Sequence, residues 1–316
     1  MGRRHCRNLL QLGVKDLVFY RSHMGSLEDT EFSSHPQEED LNVAFSHQPD
    51  AVVVANPTAL HIEIAIEAAK RGCHLFLEKP VSHNLEGVDE LLKVVKENQV
   101  KVEVGFQYRF HPLLIQAREK VNQGEIGKVL SFRVQYDEHL AEIHPWEDYR
   151  NSYAARKDLG GGPILTFCHP LDYMPWILGD VEKLWAFCST NDSLESTTED
   201  AAEIGLKLSS GAIGSLHLGY NRRPSRHGFE VIGTKGSITW EDSILRQFSP
   251  ESNSWKEYSV PEGYQRNSMF VEEMANFLQV VEENSTPVCG LRDGLSSLRL
   301  CMAAHESSEK GCMVSV

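Results

Sequence analysis

Glu78-Lys79-Pro80 sets an acid, a base and a φ-locking ring where an apolar strand, Cys73 to Leu77, runs out. A lysine at such a strand end faces a cleft rather than bulk water. A second marker is Gly160-Gly161-Gly162, followed by His169 and Asp172. Taking a proton from a hydroxyl needs a base, with a cation or donor for the charge that builds on oxygen. His169 and Lys79 supply those two needs, and an imidazole near its ordinary pKa of ~6.5 can be the base at neutral pH. Each residue taken singly also has a plainer reading: Lys79 as a solvated strand end, His169 as a hydrogen-bonded core histidine.

The elements that must position these groups are legible around them. Ala51 to Ala55 reads as a strand, Asn56-Pro57-Thr58 as a turn, and Ala59 to Arg71 as a helix with Leu60, Ile64 and Ala68 on one apolar face, closed by Gly72. With the strand leading to Lys79 this is a βαβ unit, and ligands of open parallel sheets bind outside the carboxyl ends of the strands, where Asn56 and Lys79 lie. Residues 1 to about 110 continue the pattern: helix Arg3 to Leu12, strand Asp16 to Tyr20, helix Leu85 to Lys96 and strand Lys101 to Val104. That predicts a doubly wound α/β domain over 1–110.

Past a helix at Pro112 to Asn122 the texture changes. Alternating segments at Val129 to Tyr136, Lys183 to Ser189, Ala201 to Lys207, Ala212 to Tyr220, Gly228 to Ile232 and Ser237 to Trp240 are separated by Gly, Asn and Ser turns. The second domain, 111–316, is therefore expected to be α+β with a large, mostly antiparallel open sheet. Two late helices, Ser268 to Glu283 and Leu291 to Lys310, finish it. A strand-rich sheet with few helices leaves one face uncovered, which predicts a homodimer or homotetramer through that sheet.

Composition narrows the function class. At 316 residues the chain can hold two domains, and 41% hydrophobic with 24% charged residues is ordinary for a soluble enzyme. A net charge of −14 argues against nucleic-acid or anionic-membrane partners, which reward a basic face. Seven scattered cysteines with no CxxC spacing suit free thiols, and the cytoplasm is the expected compartment. No apolar run approaches the ~18 residues of a membrane span. A zinc centre from His139, His144, Cys168 and His169 would lack HExxH or paired-cysteine spacing, and no GxSxG elbow marks a serine hydrolase. No metal site is expected.

Several segments, in this order, resemble the glucose-fructose oxidoreductase/inositol dehydrogenase/MocA (Gfo/Idh/MocA) family of nicotinamide-dependent sugar dehydrogenases. They are Gly2-Arg3-Arg4-His5, Asn56-Pro57-Thr58 with His61, Glu78-Lys79-Pro80, Gly105 to Phe110, Gly160 to Asp172, and Gly233 to Ser237. The resemblance implies a Rossmann domain, a sugar-like small-molecule substrate and hydride transfer. It also implies that a first strand and most of a GxGxxG turn would precede Gly2. The competing reading is a relative that binds sugar or cofactor without turnover.

By the resemblance, Lys79 contacts the substrate oxygen and the cofactor ribose, and His169 accepts the proton. The implied cofactor contacts are Gly2, Arg3, Arg21, Ser22, Asn56, Pro57, Thr58, His61, Glu78, Lys79, Gln107 and Arg109. Many relatives carry Asp where this chain has Thr166, which loses the carboxylate but can hydrogen-bond a sugar hydroxyl. Asp172, three residues past His169, could orient the imidazole or be an ordinary first-turn acid. Tyr149, Arg150 and Tyr153, in a loop of rings and cations before the glycines, suit a polyhydroxylated or acidic sugar. At the end of the second family strand stands Phe19-Tyr20-Arg21-Ser22, with no carboxylate for a ribose 2′-hydroxyl and a guanidinium for a 2′-phosphate, so NADP is favoured over NAD.

Overall fold

The computed structural model describes residues 1–21, 31–143, 145–190 and 194–316. Helix α1 (Gly2–Gln11) comes first, and Gly13 beyond it takes φ +95°, a left-handed turn open to glycine. Strand β1 (Phe19–Tyr20) pairs in parallel with β2 (Gln37–Glu38). Helix α2 (Leu41–Ser46) is capped by the Asp40 carboxylate, which accepts from the amides of Asn42 and Val43.

Strand β3 (Ala51–Val54), helix α3 (His61–Lys70), strand β4 (His74–Glu78), helix α4 (Val88–Glu97) and strand β5 (Val102–Gly105) follow. They form a parallel sheet in the order β3-β4-β5. The unbroken apolar run Leu75-Phe76-Leu77 suits the central strand, whose two faces are both covered, and all three side chains are buried. The predicted stripe on α3 needs correction: Leu60 is exposed, and the helix buries Ile62, Ala65, Ile66, Ala68 and Ala69. A 3₁₀ turn over Thr58–Leu60 delays the helix to His61, and its tighter winding rotates the apolar face.

Helix α5 (Pro112–Asn122) starts on a proline, as the missing N–H allows at a first turn. After it come β6 (Val129–Asp137), α6 (Leu140–Ile143), α7 (Pro163–Thr166), α8 (His169–Leu178), β7 (Val181–Ser189), β8 (Ala201–Leu208) and β9 (Ile213–Gly219). The chain ends with β10 (Arg226–Gly233), β11 (Gly236–Glu241), β12 (Ile244–Ser249), β13 (Ser254–Ser259), α9 (Arg266–Glu283), α10 (Leu291–Lys310) and β14 (Val314–Ser315). One nine-stranded sheet takes the order β13-β12-β11-β10-β6-β9-β8-β7-β14, antiparallel throughout except for β6 beside β9. The sequence reading passes over β12 and β13 because almost every side chain of β13 is exposed, which erases the alternation.

One face of this sheet is apolar and buried, with Phe132, Val134, Ile204, Leu206, Leu216 and Leu218 beneath the helices. The other face leaves Trp185, Phe187 and Ile213 exposed. Helix α10 packs on β7 and also reaches β5, while α9 packs on α1 and on the turn of residues 107–110. The two late helices thus return to the parallel sheet and to α1.

Candidate active site

Chain segments leaving the parallel strands build the floor of the cleft. Arg21 follows β1, Asn56 and Thr58 follow β3, Lys79 follows β4 and Gln107 follows β5. His61 ties two of these segments together: Nε2 lies 2.9 Å from the Asn56 carbonyl oxygen and Nδ1 3.0 Å from that of Pro80. Burial pushes the His61 pKa down, and the two carbonyls work against that. Its observed part is to hold the loops. Asn56 donates to the Leu60 carbonyl, and Thr58 is buried under Gly160.

The glycines are required by the backbone. Gly160 and Gly162 have φ +79° and +99°, and a Cβ on Gly161 would run into the carbonyls of Tyr153 and Ala154. This tight passage delivers α7, then Cys168 and His169, to the mouth of β4. There the Lys79 Nζ donates to the Thr166 carbonyl at 2.6 Å, and the Tyr220 hydroxyl donates to Thr166 Oγ1 at 2.6 Å. Tyr153 joins through the Thr166 side chain and the charge of Lys79. Sequence reasoning missed Tyr220, since no local motif marks it; it reaches the site because β9 lies beside β6 in the sheet.

His169 is buried against Tyr108, with ring centroids 4.9 Å apart, and Phe106, at 5.8 Å. Its Nε2 lies 3.4 Å from the Gln107 amide nitrogen, and Nδ1 has no partner among the described residues. Burial, then the charges of Lys79, His227 and Arg266, drive its pKa well below the ordinary 6.5. The expectation of a base titrating near neutrality is therefore corrected: desolvation keeps this imidazole neutral, the form a base needs, well into the acid range. Burial opposes the charge of Lys79, yet its neighbours Cys168, Tyr153, Glu78 and Tyr108 together hold its pKa above the ordinary value.

Asp172 does not orient His169. It forms a buried, two-pronged pair with Arg109, Nη2 to Oδ1 at 2.7 Å and Nε to Oδ2 at 3.0 Å, and Arg109 also donates to the Val288 carbonyl. The Arg109 guanidinium is thus engaged within the protein. Arg150 is exposed and bound to Asp148 at 2.7 Å, and Tyr149 packs partly on the core. Gly2 opens α1, and Arg3 follows on the same helix. Pro57 caps the 3₁₀ turn, and Ser22 lies outside the described residues.

Beneath the lysine, Glu78 meets His5 Nε2 at 2.5 Å. Burial works against this carboxylate, but the hydrogen bond and charge of His5, with Lys79 and the amino terminus, hold its pKa at about 2. Two further acids are buried nearby, Glu103 on β5 and Glu273 on α9. Glu103 accepts from the Cys289 amide at 3.2 Å and is pushed up to about 8, chiefly by burial. Glu273 is raised well above the ordinary range by burial and then by Glu78, Glu103 and Asp172.

The cleft is built like a dinucleotide site, with polar groups at the carboxyl ends of parallel strands and a lysine turned to a buried histidine segment. Residues 1–106 match the model of an oxidoreductase family with an NAD-binding Rossmann fold, and residues 114–239 match the GFO/IDH/MocA C-terminal domain. The chain is 30% identical to myo-inositol 2-dehydrogenase of Thermotoga maritima over 290 residues, 87% of this chain and 80% of that one. It is 28% identical to scyllo-inositol 2-dehydrogenase (NAD(+)) of Bacillus subtilis over 277 residues, 84% and 77% of the two chains. Levoglucosan dehydrogenase, solved with NADH and levoglucosan, superposes with a TM-score of 0.87 at 21% identity, covering 100% of this chain and 97% of that one.

Proposed function

From the premise that this chain belongs to the Gfo/Idh/MocA family of NAD-binding oxidoreductases, we infer that it transfers hydride between a nicotinamide cofactor and a CH–OH carbon of a sugar or sugar derivative. It is an NAD(P)-dependent dehydrogenase. The observation that carries the mechanism is the meeting of Lys79, Thr166 and His169 at the end of β4.

The bound cofactor supplies the hydride acceptor. Arg21, Asn56, Thr58, Lys79 and Gln107 would hold it along the strand ends. His169, neutral because it is buried, takes the hydroxyl proton of the substrate. Lys79 stays charged and offsets negative charge on the reacting oxygen, in a cleft where water screens it poorly. Thr166, Tyr153 and Tyr220 supply hydroxyls or fix those that do, and they suit a polyhydroxylated ring.

NADP is the cofactor we favour, because Arg21 stands at the end of β1 where an acidic residue would select the 2′-hydroxyl. The exposed Trp185 and Phe187, with ring centroids 4.9 Å apart on the open sheet face, support a homodimer or a homotetramer through that face. Among the described residues no helix is long and apolar enough to cross a membrane, and all seven cysteines are free, which suits the cytoplasm. Growth of the reduced-nicotinamide absorbance when a sugar is added to protein and NADP+ tests the activity. A relative that only binds would show none.

A further inference from the structure

Helix α9 begins at Arg266, and the residues on either side fix where that side chain sits. Tyr264, two positions before, packs its ring on His111 at 5.5 Å, and His111 in turn neighbours Tyr108, the ring against His169. Asn267, one position after, donates to Asn8 of α1 at 2.9 Å. Phe270, one helical turn along the same face, carries the Arg4 guanidinium 4.2 Å above its ring. Arg266 is thereby bracketed between α1 and the aromatic wall of His169.

Arg266 is solvent-accessible, and among the described residues its guanidinium makes no hydrogen bond and no ion pair. Arg4, its like-charged neighbour, is partly desolvated, and burial and then Arg266 lower its pKa. Glu138 and Asp242 act on Arg266 electrostatically, but neither pairs with it. Arg266 acts on both Arg4 and the buried His169, and among the described residues His169 Nδ1 has no partner and no carboxylate is joined to either arginine, an arrangement an anion completes. Arg150, the cation that the sequence offers for an acidic sugar, is already held by Asp148.

The geometry points to Arg266, assisted by Arg4, as the residue that selects a substrate bearing a carboxylate, so that the sugar is an acidic one of the uronic acid type. This assignment rests on the dehydrogenase reading and narrows its substrate class. The reacting carbon faces His169 and Lys79 while the carboxylate lies across the ring on the α9 side.

The test compares D-glucuronate and D-galacturonate with D-glucose and D-galactose, as substrates with NADP+ or NAD+ and as ligands by calorimetric titration. The wild-type protein should favour the acids. Arg266→Gln should cut kcat/KM or affinity for the acids by roughly ten- to a hundredfold, the range of a charge-assisted hydrogen bond, while leaving the neutral sugars and the cofactor dissociation constant unchanged. Arg266→Lys, which keeps the charge but loses the fork, should fall between the two. Neutral sugars handled as well as the acids by the wild type, or equal losses for acid and neutral sugars in Arg266→Gln, overturn the assignment. Turnover of neutral sugars alone would overturn it while leaving the dehydrogenase reading in place. Binding of the acids without hydride transfer, lost in Arg266→Gln, would support it and count against the dehydrogenase reading instead.

Discussion

Lys79 Nζ donates to the carbonyl oxygen of Thr166 at 2.6 Å, across 87 positions of the chain. The bond joins the end of a Rossmann strand to the short helix that delivers His169. Each domain alone would present half of the chemistry: the first holds the ammonium and the second the imidazole. Because the acceptor is a backbone carbonyl, the lysine's bond does not depend on the side chain at position 166.

His169 predicts the shape of the pH profile. Its pKa lies well below 6.5 because burial and the charge of Lys79 disfavour the imidazolium. A base must be neutral to act, so kcat/KM should hold level through neutrality and fall only below the ordinary histidine range. His169→Ala should lose rate and that acid limb together. A wild-type limb centred near neutrality, or an unaltered limb in the variant, would remove His169 from the role.

Glu103 predicts how stability responds to pH. Its folded-state pKa of about 8 lies above the ordinary 4.5, so the fold favours the neutral form. The stabilisation is complete below the unfolded pKa and is lost as pH rises from about 4.5 through 8, by up to about 5 kcal/mol. Glu103→Gln keeps an acceptor for the Cys289 amide and cannot ionise. Urea midpoints at pH 5 and pH 8 should therefore differ less in the variant than in the wild type, and an equal difference would rule Glu103 out as the source.

Much of this was legible in the chain. The βαβ signals around Asn56 and Glu78-Lys79-Pro80 and the glycine triplet before His169 are local, and the structure joins them through the Lys79–Thr166 bond and through His61, which ties Asn56 to Pro80. What the sequence hides is long-range. The Arg109–Asp172 pair, the Tyr220–Thr166 bond and the position of Arg266 beside Arg4 depend on sheet pairing and on α9 folding back onto α1. The depressed pKa of His169 was equally invisible, since it comes from burial by Phe106 and Tyr108 rather than from any neighbour in sequence.

Phe187 and Trp185 predict the assembly. They form an exposed aromatic pair on the open sheet face, with Phe187 66% exposed. Light scattering at micromolar concentration should report a dimer or larger species, and Phe187→Asp should shift it toward the monomer by placing a charge in an apolar contact. A monomeric wild type would contradict this.

Arg21 predicts cofactor choice. NADP(H) should bind more tightly than NAD(H), and Arg21→Asp should erase or reverse the difference, worth about 1.5 to 3 kcal/mol or roughly ten- to a hundredfold in affinity. Titration calorimetry with both cofactors measures it. Equal affinities, or tighter NAD(H), in the wild type would defeat the reading.

The most direct measurement follows the hydride itself. A sugar that the protein oxidises is prepared with deuterium on the reacting carbon, and the reduced cofactor is recovered and weighed by mass spectrometry. Deuterium should appear on the nicotinamide in the wild type, and Lys79→Ala should slow this transfer by about 10² to 10³ while its circular dichroism stays that of the folded protein. Reduced cofactor without deuterium, or a folded Lys79→Ala variant that transfers at the wild-type rate, would contradict it.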